Sequence, residues 1–337
     1  LLLPAALVDL DWLGADRRAA AAAMPAWAAI ARRSRLAREA GPDDPPPSDP
    51  GHERWLRERL CLPAGCALAA CAAAADHLDD VAWRIDPVHL HVGRDHLVMT
   101  EPAGLALAAD DAVALAASIA PLFDDDGLEL VVPGGPRWYL RERSAERPLR
   151  LRTRPLSGAS GRNVDAWMPT GDDARRWRRL LNEVQMTWHA HPVNAARAER
   201  GLPPVNSLWI DGRCPGAADR QGAAADTAAR IALRAPMPPG GFALDDGPLL
   251  IDHRLLDAQH AGDPSGWRDA WRAVNDTLLA PIARGDALWS NGGRLVLTGD
   301  AGWRELALRA GAGWRFWHRP DPVALLAEPA APVRTTP

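Results

Sequence analysis

Leu181-Asn182-Glu183-Val184-Gln185-Met186, followed by Trp188, His189, His191-Pro192-Val193-Asn194, Arg197, Gly201 and Pro204-Val205-Asn206-Ser207-Leu208-Trp209, is the most distinctive stretch of the chain. Just upstream, Asp172 and Asp173 open an arginine-rich helix predicted over 171–191. It stops at His191-Pro192, because a proline disfavours helical geometry in the residue before it. Residues 193–209 are therefore expected as a loop whose backbone amides need partners. The segment sets His189, His191, Asn194, Arg197, Asn206 and Trp209 around a helix end. Asparagine amides and an outward-facing arginine fork suit an oxyanion such as phosphate or carboxylate. Capping asparagines, a core tryptophan and a solvated arginine account for the same residues, so the pattern leaves both readings open.

Working outward, the downstream chain alternates: strand 248–252, helix 267–282, strand 294–298, helix 303–310, strand 314–318. Such alternation predicts an α/β layer architecture. Upstream, 86–92 alternates, turns at Gly93-Arg94-Asp95 and continues as 96–99, which predicts a β-hairpin. An amphipathic helix over 109–123 follows, with Asp110 and Asp111 in its first turn, then strands over 128–132 and 137–140. Strand, strand, helix, strand, strand reads as a compact α+β unit. Nearer the start, the apolar run 1–8 lacks a basic leader and predicts a buried first strand over a signal peptide. A helix is expected over 24–40, a Pro-rich linker over 41–50, and helices over 52–60 and through the alanine-rich run to His77.

With 337 residues the chain suits about two domains. Its net charge of −4 carries no basic footprint for nucleic acid. All 39 basic residues are arginine, which removes Schiff-base and phosphate-loop lysine chemistry. No run of about 20 apolar residues escapes charge or proline, so no membrane span is expected. Cys61, Cys66 and Cys71 are spaced by five and, with Cys214, fit neither a zinc knuckle nor a redox pair. They are expected as small hydrophobes, in a cytoplasmic, reducing compartment. His89 and His91 share one strand face, as a metal pair or as edge polarity. Asp124-Asp125-Asp126-Gly127 reads as a helix-ending turn, since it lacks the terminal Glu of a calcium loop.

The run LNEVQMTWHAHPVNAARAERGLPPVNSLWI (181–210) resembles the signature of the RpfE-type bacterial regulatory proteins. DPVHLHVGRDHLVM (86–99), PRWYL (136–140) and MPTGDDARRWRRLLNE (168–183) extend the resemblance. That family is similar in turn to the archaeal-type cofactor-independent phosphoglycerate mutases of the alkaline phosphatase superfamily. The resemblance implies an alkaline-phosphatase-like layered α/β core built from 1–82 and 166–337, with an inserted α+β domain over 83–165.

Those mutases use two metal ions and a serine or threonine nucleophile, so the resemblance also implies where such groups would stand. LVDLDWLGADRR (7–18) is similar to the first strand and its ligand, at Asp11 or Asp9. The nucleophile's surroundings are matched at Gly65-Cys66-Ala67, without the serine. LLDAQHAGD (255–263) keeps His260 but puts Leu256 where the family has a ligand aspartate. LVLTGDAGW (295–303) keeps Asp300 and replaces the next histidine by Ala301, and WHRPDPV (317–323) keeps His318. Each lost ligand removes charge that a hard dication needs. The expectation is a cytoplasmic regulatory or small-anion-binding protein, a non-catalytic relative that takes a phosphate or carboxylate ligand. The alternative is a manganese- or magnesium-dependent phosphoglycerate mutase or phosphatase with an altered metal site.

Overall fold

The computed structural model describes residues 1–14, 16–41, 49–63, 66–78, 80–93, 97–100, 102–133, 137–144, 146–159, 163–214, 223–232, 237, 241–244, 247–285, 293–300, 302–308 and 321–329. The chain divides into two compact units, one of Leu1–Trp55 with Met237–Pro337 and one of Leu56–Pro236. Both are mixed α/β. The strands in chain order are β1 (Leu2–Leu3), β2 (Ser34–Ala40), β3 (Trp83–Val92), β4 (Leu97–Thr100), β5 (Leu128–Val131), β6 (Trp138–Glu142), β7 (Ser207–Arg213), β8 (Phe242–Leu244), β9 (Gly247–Leu249), β10 (Gly293–Thr298) and β11 (Trp303–Leu308).

In the first unit the sheet order is β1-β10-β11-β2, with β1 parallel to β10 and the other pairs antiparallel. The apolar start is the buried strand that its composition predicts. Two segments expected as helix are strands instead. Trp303–Leu308 turns back from β10 with Thr298 opposite Trp303, and the predicted helix over 24–40 ends at Arg33 before Ser34–Ala40 pairs with β11. In both, ladder pairing overrides a helical local pattern. The edge strand β2 carries Arg35, Arg38 and Glu39, charges that discourage further strand addition. The strand expected over 314–318 and residues 42–48 of the linker lie outside the described residues.

Tryptophan dominates this core. Asp263 caps the helix Pro264–Val274 through the amides of Ser265 and Gly266. Spacings of four and three then bury Trp267, Trp271 and Val274 on one stripe. Trp271 meets Trp27 at 5.8 Å and Trp267 at 6.2 Å between ring centroids, and Trp12 adds an edge contact to Trp267 at 6.2 Å. The indole of Trp267 donates to the Ala5 carbonyl at 2.8 Å. The helix continues past Val274 only through a widened π turn, Asn275–Leu279. Pro281, two residues beyond it, has no N–H to give a regular helical ladder.

In the second unit β3 is the hub of a five-stranded sheet, with order β4-β3-β6-β5 and β7 also on β3. The expected hairpin strands pair as β3 and β4, with His89 opposite Thr100, and residues 94–96 of the expected turn lie outside the described residues. The compact unit is larger than the inserted domain expected over 83–165. Its boundaries lie at 55/56 and 236/237 because β7 completes the sheet beside β3 and the helix Ala174–His189 covers one face. That helix buries Trp177, Leu180, Leu181, Val184 and Trp188 against the helix Ala109–Asp125 and against Ile85, Trp138 and Ile210 of the sheet. Its outer arginines Arg176 and Arg179 hold the buried carboxylate of Asp126, which fixes the 124–127 turn. The opposite face carries Tyr139 with Ala67, Ala70, Ala73 and Cys214. Cys66, Cys71 and Cys214 are buried, whereas Cys61 is exposed.

Candidate functional site

The segment after Pro192 is not a loop. Pro192 occupies the first position of a new helix, Pro192–Glu199, where its missing N–H costs nothing. His191 is the cap, its Nδ1 accepting from the Val193 amide at 3.2 Å. The chain then reaches β7 through Leu202–Asn206, and the polar side chains of the motif close that connection. Asn194 is buried and donates to the carbonyls of Trp188 and Val205, both at 2.8 Å, while its oxygen accepts from Val205 N at 2.9 Å. Asn206 clasps β3, donating to the Leu90 carbonyl and accepting from the Leu90 amide, each at 2.8 Å. Trp209 is buried in β7 and donates to the Arg154 carbonyl at 3.0 Å. His189 is exposed at the end of its helix.

Arg197 departs furthest from the outward fork. It is fully buried, with Nε donating to the Pro203 carbonyl at 2.9 Å and Nη2 to the Leu105 carbonyl at 2.6 Å. Nη1 has no partner among the described residues. Burial pushes its pKa down from the ordinary arginine value, against the pull of Asp111, and Arg200 adds to the depression. The physical reason for the inward turn is the connection itself: the carbonyls of Leu105, at the end of a one-turn helix, and of Pro203, in the connection, need donors. The anion-binding expectation for Asn194, Arg197 and Asn206 thus meets side chains already engaged with backbone. Close by, His89 stacks on His91 with centroids 5.3 Å apart and planes 14° apart. Burial, then His91 and Arg197, hold the His89 imidazole below the usual histidine range, although the Pro204 carbonyl works the other way.

The positions singled out as metal ligands lie in the first unit. Asp11 is exposed on a short 3-10 helix, Leu10–Leu13. Asp300 follows β10 and accepts from Gln259 Nε2 at 2.6 Å, which brings the end of the helix Arg254–His260 to the end of that strand. The same strand end receives the Gly51 amide, which donates to the Gly299 carbonyl at 3.1 Å, and the carboxylate of Glu328, which accepts from Asp300 N. His318 lies outside the described residues. Leu256, at the ligand-aspartate position, is buried in the apolar cluster with Leu255, Trp267 and Trp271. An aliphatic side chain in an apolar core offers no metal donor at that position. Among the described residues no three His, Cys, Asp or Glu side chains gather as a group that could hold a metal ion.

Two features are absent from the sequence reading. His52 and Glu53 are buried in the first turn of the helix Gly51–Arg59, beside the Gly299 turn. Arg150, Arg152 and Arg213 line a groove of about 740 Å³ with Trp83. The only sequence signal for the groove is the alternation Leu149-Arg150-Leu151-Arg152, and Arg213 is distant from it in the chain.

No family model matches the chain. It is 28% identical over 205 residues to a probable 2,3-bisphosphoglycerate-independent phosphoglycerate mutase of Geobacter sulfurreducens, covering 59% of this chain and 51% of that protein. A mutase of the same description from Methanosarcina acetivorans is 25% identical over 212 residues, covering 60% of this chain and 51% of that one. The chain spans about half the length of these relatives. Among solved structures, the cofactor-independent phosphoglycerate mutase of Thermoplasma acidophilum aligns over 86% of this chain and 82% of its own, at 15% identity and a TM-score of 0.34. Among the described residues no helix is long and apolar enough to cross a membrane. Along the matched stretch, the chain is similar in sequence to the cofactor-independent phosphoglycerate mutases.

Proposed function

We propose that this chain is a non-catalytic, small-anion-binding relative of the phosphoglycerate mutases. Its role is regulatory, as the resemblance to RpfE-type proteins implies, in the cytoplasmic setting that its cysteine usage suggests, with an alkaline-phosphatase-like core. The observation that carries the reading is Leu256. The position that the resemblance assigns to a metal ligand is filled by an aliphatic side chain buried in an apolar cluster that includes Trp267 and Trp271. Metal catalysis of phosphoryl transfer needs the full ligand set to neutralise phosphate charge and activate a nucleophile. The test is elemental analysis of the purified chain after exposure to manganese or magnesium, together with a mutase assay on 3-phosphoglycerate. The expected result is no turnover above the enzyme-free blank and fewer than two dications per chain.

One observation favours the alternative, a mutase or phosphatase with an altered metal site. Gly51, Gln259, Asp300 and Glu328 converge where β10 ends. Two bound dications with measurable turnover would establish that alternative in place of the first reading.

A further inference from the structure

The groove beside Trp83 is assembled by three separate parts of the second unit. Leu149 is buried and Leu151 packs on the same apolar cluster, so the period of two turns Arg150 and Arg152 outward on one side. This wall is pinned to the segment before the arginine-rich helix. Arg152 N donates to the Thr170 carbonyl at 2.7 Å, and Thr170 N returns a bond to the Arg152 carbonyl at 3.0 Å. Gly171, at φ +113°, lets the strands approach, since a Cβ there would come within 2.8 Å of the Arg150 carbonyl oxygen. The third part is the end of β7, where Arg213 pairs with Trp83 across the ladder and sets its guanidinium carbon 5.2 Å from the centre of that ring.

Glu142 ties the parts together. Its Oε1 accepts from Trp83 Nε1 at 2.9 Å and from Leu149 N at 3.0 Å, and its Oε2 lies 3.5 Å from Arg213 Nη2. The groove holds three permanently charged guanidiniums against Asp172 in its lining and the Glu142 carboxylate beside Arg213, which leaves an excess of positive charge. Among the described residues, the side chains of Arg150 and Arg152 make no hydrogen bond or ion pair. A concave surface with an excess of one sign of charge concentrates the opposite sign. Its volume, about 740 Å³, is in the range of small-molecule sites.

We propose that this groove is a binding site for a small phosphorylated organic acid, held by Arg150, Arg152 and Arg213. The proposal rests on the anion-binding reading above and gives it a location away from Asn194, Arg197 and Asn206. Planar guanidinium forks match the oxygen geometry of phosphate and carboxylate groups, and two forks on one wall face a third fixed on an aromatic ring.

Calorimetric titration of the full chain with 3-phosphoglycerate, and separately with inorganic phosphate, tests it. Four proteins are compared: wild type, Arg150→Gln/Arg152→Gln, Arg213→Gln, and Arg175→Gln/Arg178→Gln as an equal charge change on the exposed side of the arginine-rich helix. Circular dichroism and melting check each fold. The expected result is affinity for 3-phosphoglycerate about tenfold weaker or more in the Arg150/Arg152 variant and unchanged in the helix control. Wild-type affinity in the Arg150/Arg152 variant would overturn the groove assignment while leaving the anion reading standing. No binding of either probe by wild type would overturn the anion reading itself, and the groove with it.

Discussion

Replacing Asn194 by alanine separates a structural motif from a ligand site. The amide makes three buried hydrogen bonds, two donated to the Trp188 and Val205 carbonyls and one accepted from Val205 N. Trp188 O keeps a second donor, the His191 amide at 3.2 Å, so the variant strands chiefly the N–H and C=O of Val205, which is fully buried. At about 1 kcal/mol for each bond lost, with extra desolvation for the stranded pair, the cost is about 3–4 kcal/mol. For a unit of this size that is a fall of about 6–15 °C in melting temperature. Asn194→Asp keeps the shape but turns an acceptor toward two carbonyls, so it should destabilise at least as much at neutral pH. Urea unfolding followed by tryptophan fluorescence, with calorimetric melting, measures both variants. The reasoning fails if Asn194→Ala unfolds within about 1 kcal/mol of wild type and instead loses affinity for 3-phosphoglycerate.

Leu256→Asp should lower stability by about 3 kcal/mol or more through a carboxylate buried among tryptophans, without gaining a metal ion. A variant that melts like wild type and retains a dication through dialysis would contradict this. Trp271→Ala removes the ring shared by Trp27 and Trp267 and should cost about 3–5 kcal/mol, read from the same urea curves. Because burial, His91 and Arg197 depress the His89 pKa in the folded chain, the unfolded chain binds the proton more readily. The stabilising effect is therefore complete above the ordinary histidine value of about 6.5 and is lost as pH falls below it toward the folded value. Melting at pH 7.5 and 5.5 should show a smaller loss on acidification in His89→Asn than in wild type, and an equal loss would count against a depressed His89.

Sequence alone determined the elements whose burial pattern is local and periodic. The arginine-rich helix announces its apolar stripe at Trp177, Leu180, Leu181, Val184 and Trp188, and the alternation over 86–99 announces two paired strands. The relation to the phosphoglycerate mutases was likewise legible in the order of short motifs. Tertiary structure decided the rest. Trp303–Leu308 and Ser34–Ala40 carry helix-compatible residues, and only the partner strands across the sheet make them extended. The boundary of the second unit depends on β7 meeting β3, a pairing between residues more than a hundred positions apart that no local window contains. Arg197 reads as an anion fork in one dimension. It becomes an internal brace because the carbonyls of Leu105 and Pro203, invisible in its own neighbourhood, are brought to it by folding. The arginine groove arises the same way. Arg150, Arg152 and Arg213 are unremarkable among 39 arginines until a strand pairing, a glycine-permitted approach and one glutamate set them around a common space.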